Sequence, residues 1–168
     1  MDNLQFYPVT QCLKKAGLVA GTTTTYSITA NPLEYSIKGK IYSKATVTNG
    51  ATPTTDALTG AAFVTLIFPA SATVAGQGSI YVFCYDSSGN IKVVQGSVET
   101  LDLSGNFINS PKLPIIPDTI CPFGYLTVKL GATAVANWLF GTNNLSGVTG
   151  VTYAFQDITT MPDRPQIA

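Results

Sequence analysis

"SIYVFCYDSSGNIKVVQG", residues 79–96, is the stretch from which the fold can be read. Two runs rich in β-branched and aromatic residues flank Asp86-Ser87-Ser88-Gly89-Asn90. The glycine there accepts the positive φ that a tight reversal needs, so a β-hairpin is predicted. In its first strand Ile80, Val82 and Cys84 point one way and Tyr81, Phe83 and Tyr85 the other. Both faces are apolar. Such a strand is either central in a sandwich or has its aromatic side against another subunit, and the second choice makes Tyr81, Phe83 and Tyr85 candidate contact residues.

Upstream, "VTQCLKKAG" (9–17) has a capping Thr10, lysines in its last turn and Gly17 at a left-handed stop, so a two-turn helix is expected. The lead before it carries Phe6 and Tyr7, which are further candidates for contact with a neighbour. From Thr22 the pattern turns to β: "TTTTYSITA" is β-branched, and "EYSIKGKIYS" alternates Tyr35, Ile37, Gly39 and Ile41 against polar positions, as a single half-buried strand would. Residues 43–60 are polar and predicted as a long exposed loop, and "AAFVTLIFPA" (61–70) as a strand covered on both sides.

Downstream, "SVETLDL" leads to a turn at Gly105-Asn106. "PKLPIIPDTICP" (111–122) then places four prolines in twelve residues. Each proline fixes its own φ and extends the residue before it, so 112–118 reads as a taut polyproline-like connector into the strand "FGYLTVKL". In that strand Phe123, Tyr125, Thr127 and Lys129 are expected on one face. "AVANWLFG" and "GVTYAFQD" add two short aromatic strands, and "MPDRPQIA" an extended tail. No internal repeat is evident. The expected fold is all-β: a single-domain antiparallel β-sandwich, with a jelly roll as one way of connecting it, a short N-terminal helix and extended termini. The divisions are 1–21 for the N-terminal arm, 22–160 for the sandwich and 161–168 for the tail.

The chain has 168 residues, 45% hydrophobic and 11% charged, with nine basic and nine acidic side chains. The charged share is well below the roughly 25% usual for soluble domains, so Thr, Ser, Asn and Gly wet the surface. A formal charge of zero gives no field toward nucleic acid or anionic lipid, and neither is an expected partner. The start lacks the basic and apolar blocks of a secretory signal, and no apolar stretch reaches the roughly 18 to 20 residues that cross a bilayer. Cys12, Cys84 and Cys121 are odd in number and widely spaced, which fits buried thiols in a reducing compartment.

Catalytic equipment is sparse. The chain contains no histidine, which removes the commonest general base, the His-activated nucleophiles and most zinc sites. Glu99 and Asp102 are the nearest carboxylate pair in sequence, but residues three apart on a strand face opposite ways. Asp86 to Asn90 is oxygen-rich yet lacks the alternating acids of a calcium loop. No catalytic residue, cofactor or metal is expected, and the chain is read as a non-enzyme. The tyrosines and Trp138 suit either a sugar-stacking platform or ordinary core edges.

Several phrases together, "TPTTDALTGAAF", "DSSGNIKVVQG", "PKLPIIPDTICPFGYLTVKLG", "WLFGTNNLSG" and "DITTMPDRPQ", resemble small decoration or cement proteins of tailed-bacteriophage capsids, over most of residues 52–165 in order. The resemblance implies a virion structural protein made in the host cytoplasm that binds the capsid exterior. It would bridge subunits of the major capsid protein and stabilise the shell, with a homotrimer as the preferred oligomer. The alternative is a carbohydrate- or receptor-binding β-module of a phage head or tail fibre.

Overall fold

A computed structural model describes residues 9–69, 76–159 and 161. Within them lie eleven strands: β1 (Gln11–Cys12), β2 (Leu18–Ala20), β3 (Tyr26–Ile28), β4 (Leu33–Ile37), β5 (Lys40–Lys44), β6 (Val47–Gly50), β7 (Gln77–Asp86), β8 (Ile91–Gln95), β9 (Glu99–Thr100), β10 (Ile120–Leu130) and β11 (Val151–Asp157). The described residues contain no helix. The strands form three antiparallel sheets, ordered β11-β10-β7-β8 with β9 also on β7, then β1-β4-β5, and β2-β3-β6. This all-β architecture is consistent with a β-sandwich.

The hairpin of β7 and β8 forms as its sequence predicts, and β7 is central, paired with β10 on one side and with β8 and β9 on the other. Its alternation divides the interior. Tyr81, Phe83 and Tyr85 join a large cluster with Tyr26, Ile28, Leu33 and Tyr35 of the smaller sheets and with Trp138 and Phe140. Ile80, Val82 and Cys84 join a second cluster with Val94, Ile120, Tyr125 and Ile158. That second face is covered by Leu113 and Ile116 of the proline connector and by Met161. The connector is thus a cover for the main sheet as well as a crossover.

Burial along the connector has period three. Leu113 and Ile116 are half-buried, whereas Lys112, Ile115 and Asp118 are exposed. Three residues per turn is the repeat of polyproline, and with prolines at 111, 114 and 117 each side-chain type takes its own ridge. The connector is fastened at its start: Lys112 N donates to Ser97 Oγ at 2.8 Å, and Ser97 N donates to Lys112 O at 3.1 Å. Gly96 permits this approach, because a Cβ there would stand 2.4 Å from Lys112 O.

Where the connector enters β10, a bulge separates Pro122, opposite Cys84, from Gly124, opposite Phe83. The extra residue flips the alternation, so Phe123 shares the large cluster with Leu126 and Val128 while Tyr125 faces the second cluster. The single uninterrupted face expected for Phe123, Tyr125, Thr127 and Lys129 is corrected accordingly.

Other expectations change as well. The N-terminal helix over 9–17 is absent. Gln11 and Cys12 pair with Ser36 and Tyr35, and Leu13 N donates to Glu34 O at 2.9 Å. A helix of two turns has little cooperativity of its own, so pairing with β4 takes its backbone groups; Gly17 nonetheless holds a positive φ of 64°. "EYSIKGKIYS" is two strands, β4 and β5, reversed at Lys38 and Gly39 with φ of 50° and 78°, the signs of a type I′ turn. Part of the polar 43–60 stretch is β6, paired with β3. The 61–70 stretch is no strand over its described part. It makes isolated bridges from Ala62 to Thr55 and from Leu66 to Trp138, and buries Phe63, Leu66 and Pro69.

A short repeat becomes visible once the turns are drawn. Asp86-Ser87-Ser88-Gly89-Asn90 and Asp102-Leu103-Ser104-Gly105-Asn106 fold alike. In each, the aspartate Oδ1 accepts from the N–H groups two and four residues on, at 2.8–2.9 Å, and its C=O accepts from the glycine N–H at 3.0 Å.

Candidate functional site

The structure buries Tyr81, Phe83 and Tyr85 within the chain's own core, at 0%, 0% and 1% exposure. They offer no surface to a neighbour, which corrects their reading as contact side chains. Tyr81 stacks on Phe140 at 4.7 Å and Tyr85 on Phe123 at 4.7 Å. Phe6 and Tyr7 lie outside the described residues.

The carboxylates considered for chemistry hold turns instead. Glu99 Oε1 accepts from Ser97 Oγ at 2.7 Å, whereas Asp102 closes its own five-residue loop. Hydrogen bonds from the Asn106 backbone, opposed by slight desolvation and aided by the Asn106 side chain, hold the Asp102 carboxyl below its usual range. In Asp86, burial pushes upward, but the Asn90 and Ser88 donors and the Lys92 charge outweigh it, and the net displacement is downward. A fourth carboxylate, not singled out in the sequence, is buried: Asp56 accepts from Leu58 N at 2.8 Å, Thr59 N at 3.0 Å and Gln95 N at 2.7 Å. It ties the 52–62 loop to the edge of β8. The signal in the sequence was "TDALTG", an aspartate two and three residues before the amides it captures.

All three cysteines are free thiols and buried. Burial, with Cys12 nearby, pushes the Cys121 thiol up to about 12, and burial likewise raises Cys12 and Cys84. A thiolate nucleophile is disfavoured at each.

The surface with the most distinctive chemistry is the outward ridge of the connector. Ile115 is 89% exposed, between Lys112 and Asp118 on the same ridge. The prolines restrict its backbone, and the inward ridge of Leu113 and Ile116 is seated on the main sheet, so an exposed apolar side chain is held in a fixed position. At the far end, Asp118 O accepts from Thr10 Oγ1 at 2.8 Å, and the Asp118 carboxylate pairs with Lys38 at 3.3 Å. Beside it, Thr10, Ile116, Pro117, Ile120, Pro122 and Met161 line a shallow cleft of about 280 Å³.

A second cleft, about 350 Å³, lies at the β4–β5 turn, among Ile37, Lys38, Lys40, Tyr42, Ser87 and Thr119. Here Tyr42 stacks on Tyr35 at 5.6 Å, and Lys40 Nζ lies 5.3 Å from the centroid of the Tyr42 ring. Most tyrosines are core residues; among those described, Tyr42 and Tyr153 are the ones that keep part of a ring at the surface.

Compared with known protein families, with curated proteins and with solved structures, the chain matches none.

Proposed function

We propose that this protein is a non-enzymatic virion structural protein that binds the outside of a phage capsid and stabilises the shell by bridging subunits of the major capsid protein. The observation that carries the proposal is the connector ridge, an 89% exposed Ile115 on a proline-stiffened segment fastened to the main sheet. A preordered apolar contact loses little conformational entropy on docking, which suits a protein that adds to a lattice already built. The low charged fraction and the sequence resemblance support the same role.

We also read the three sheets as a β-sandwich. The main sheet is one layer and the two smaller sheets together form the other, since the large cluster takes residues from all three. This reading does not require the jelly-roll order.

Shells with and without the added protein, challenged by heat or osmotic shock, test the role directly. The native chain is expected to bind and protect them, and Ile115→Asp to lose binding while melting as the native chain does. Equal binding by both would remove the ridge from the proposal, and an unprotected shell with bound protein would remove the stabilising role.

The second reading is a carbohydrate-binding module, which the part-exposed Tyr42 ring beside Lys40 favours, because a sugar face stacks on such a ring. Glycan binding by the native chain that is lost in Tyr42→Ala would support it.

A further inference from the structure

Among the described residues, the outer edge of β11 carries an unfilled half of a β-ladder. Ile158 N donates to Phe123 O and Gly131 N donates to Gly150 O, so the bonds to β10 fall on the even positions of this strand, from 150 to 158. The backbone groups of Tyr153 and Phe155 therefore point away from β10. Among the described residues none bonds to them, whereas the edge at β8 is occupied by Ala57 N on Val93 O and by Asp56 on Gln95 N. β11 has neither proline nor lysine, the residues that commonly blunt an edge.

We propose that a second copy of this chain fills the edge, with β11 pairing antiparallel to β11 about a two-fold axis at Ala154. In that register Tyr153 lies opposite Phe155 of the other copy, and the two exchange both backbone bonds on each side of the axis. Directly opposed side chains share a face, so Tyr153 and Phe155, each half-buried against the large cluster, form two aromatic cross-strand pairs. Asp157, the one charge in β11, lies opposite Val151, which keeps the two aspartates at opposite ends of the joint strand pair. A formal charge of zero adds no repulsion between copies. Two aromatic pairs with no like charges opposed are what favour a second copy over a strand from another protein. This inference stands apart from the capsid role.

On the opposite face Thr152 meets Gln156 of the other copy, and both side chains are exposed, so they can be changed without opening the core. Sedimentation velocity from low micromolar to near-millimolar protein is the test. The native chain is expected to pass from monomer to dimer. Thr152→Glu with Gln156→Glu, which opposes like charges, is expected to remain monomeric. Thr152→Glu with Gln156→Lys, which opposes unlike charges, is expected to restore the dimer. Hydrogen exchange at the Tyr153 and Phe155 amides should slow as the dimer forms. A native chain that stays monomeric throughout, or forms a trimer, would overturn the proposal, as would equal association of the two double variants.

Discussion

The hydroxyls of Tyr26 and Tyr85 meet at 2.9 Å inside the core, joining a strand of the β2-β3-β6 sheet to the central strand of the main sheet. Burial raises the pKa of both phenols, so the pair remains a neutral hydrogen bond between the two sheets. Tyr85→Phe leaves the Tyr26 hydroxyl buried without its partner, and a loss of about 1–3 kcal/mol is expected in denaturant melts. The double variant Tyr26→Phe with Tyr85→Phe is expected to lose less than the sum of the single changes. Strict additivity in the cycle would mean that the two hydroxyls do not stabilise each other.

Acid should act on the two aspartate loops. The carboxyls of Asp86 and Asp102 sit below the ordinary value of 3.8, so each contributes stability that is present above that value and is lost as pH falls through the lowered one. Asn at both positions keeps one acceptor for the loop amides but cannot be protonated. The melting temperature of this double variant is expected to fall less steeply than that of the native chain below about pH 4. Parallel acid limbs would show that other groups govern the loss.

Gly96→Ala tests the seat of the connector. A Cβ 2.4 Å from Lys112 O forces the segment away from the sheet. The expected cost is about 1–3 kcal/mol, as for other overpacked sites. Faster hydrogen exchange should appear at Lys112, whose amide is bonded to Ser97, and an unchanged rate there would place the strain elsewhere.

Asp56→Ala removes the acceptor of three amides, those of Leu58, Thr59 and Gln95. A loss of about 1–3 kcal/mol is expected for three part-buried bonds to a carboxylate. Limited proteolysis should then cut within residues 57–62 before the strands. Native-like resistance there would show that the backbone bonds of the loop, Ala57 N to Val93 O among them, hold it without the carboxylate.

The hairpin of β7 and β8 was legible because its signals are local: alternation of period two, a five-residue turn and a glycine at positive φ. The connector was legible as stiff, and its threefold ridges follow from proline spacing. Which face of which strand it covers was not, because the sheet beneath it is assembled from segments distant in sequence. The helix expected over 9–17 failed for a related reason, since β4 offered its backbone a long-range partner. The aromatic residues of β7 had two readings open, core or neighbour, and local pattern is the same for both.

The sequence by itself determined that this chain is β-built, poor in charge, without histidine, and braced by prolines before β10, because propensity, composition and fixed φ act residue by residue. The tertiary structure decided the rest. It directed Tyr81, Phe83 and Tyr85 inward and flipped β10 at the bulge, left Ile115 exposed, and made β11 the end strand of the main sheet. Those outcomes depend on which distant segments compete for the same apolar face and the same backbone hydrogen bonds, and that competition is settled only when the sheets assemble.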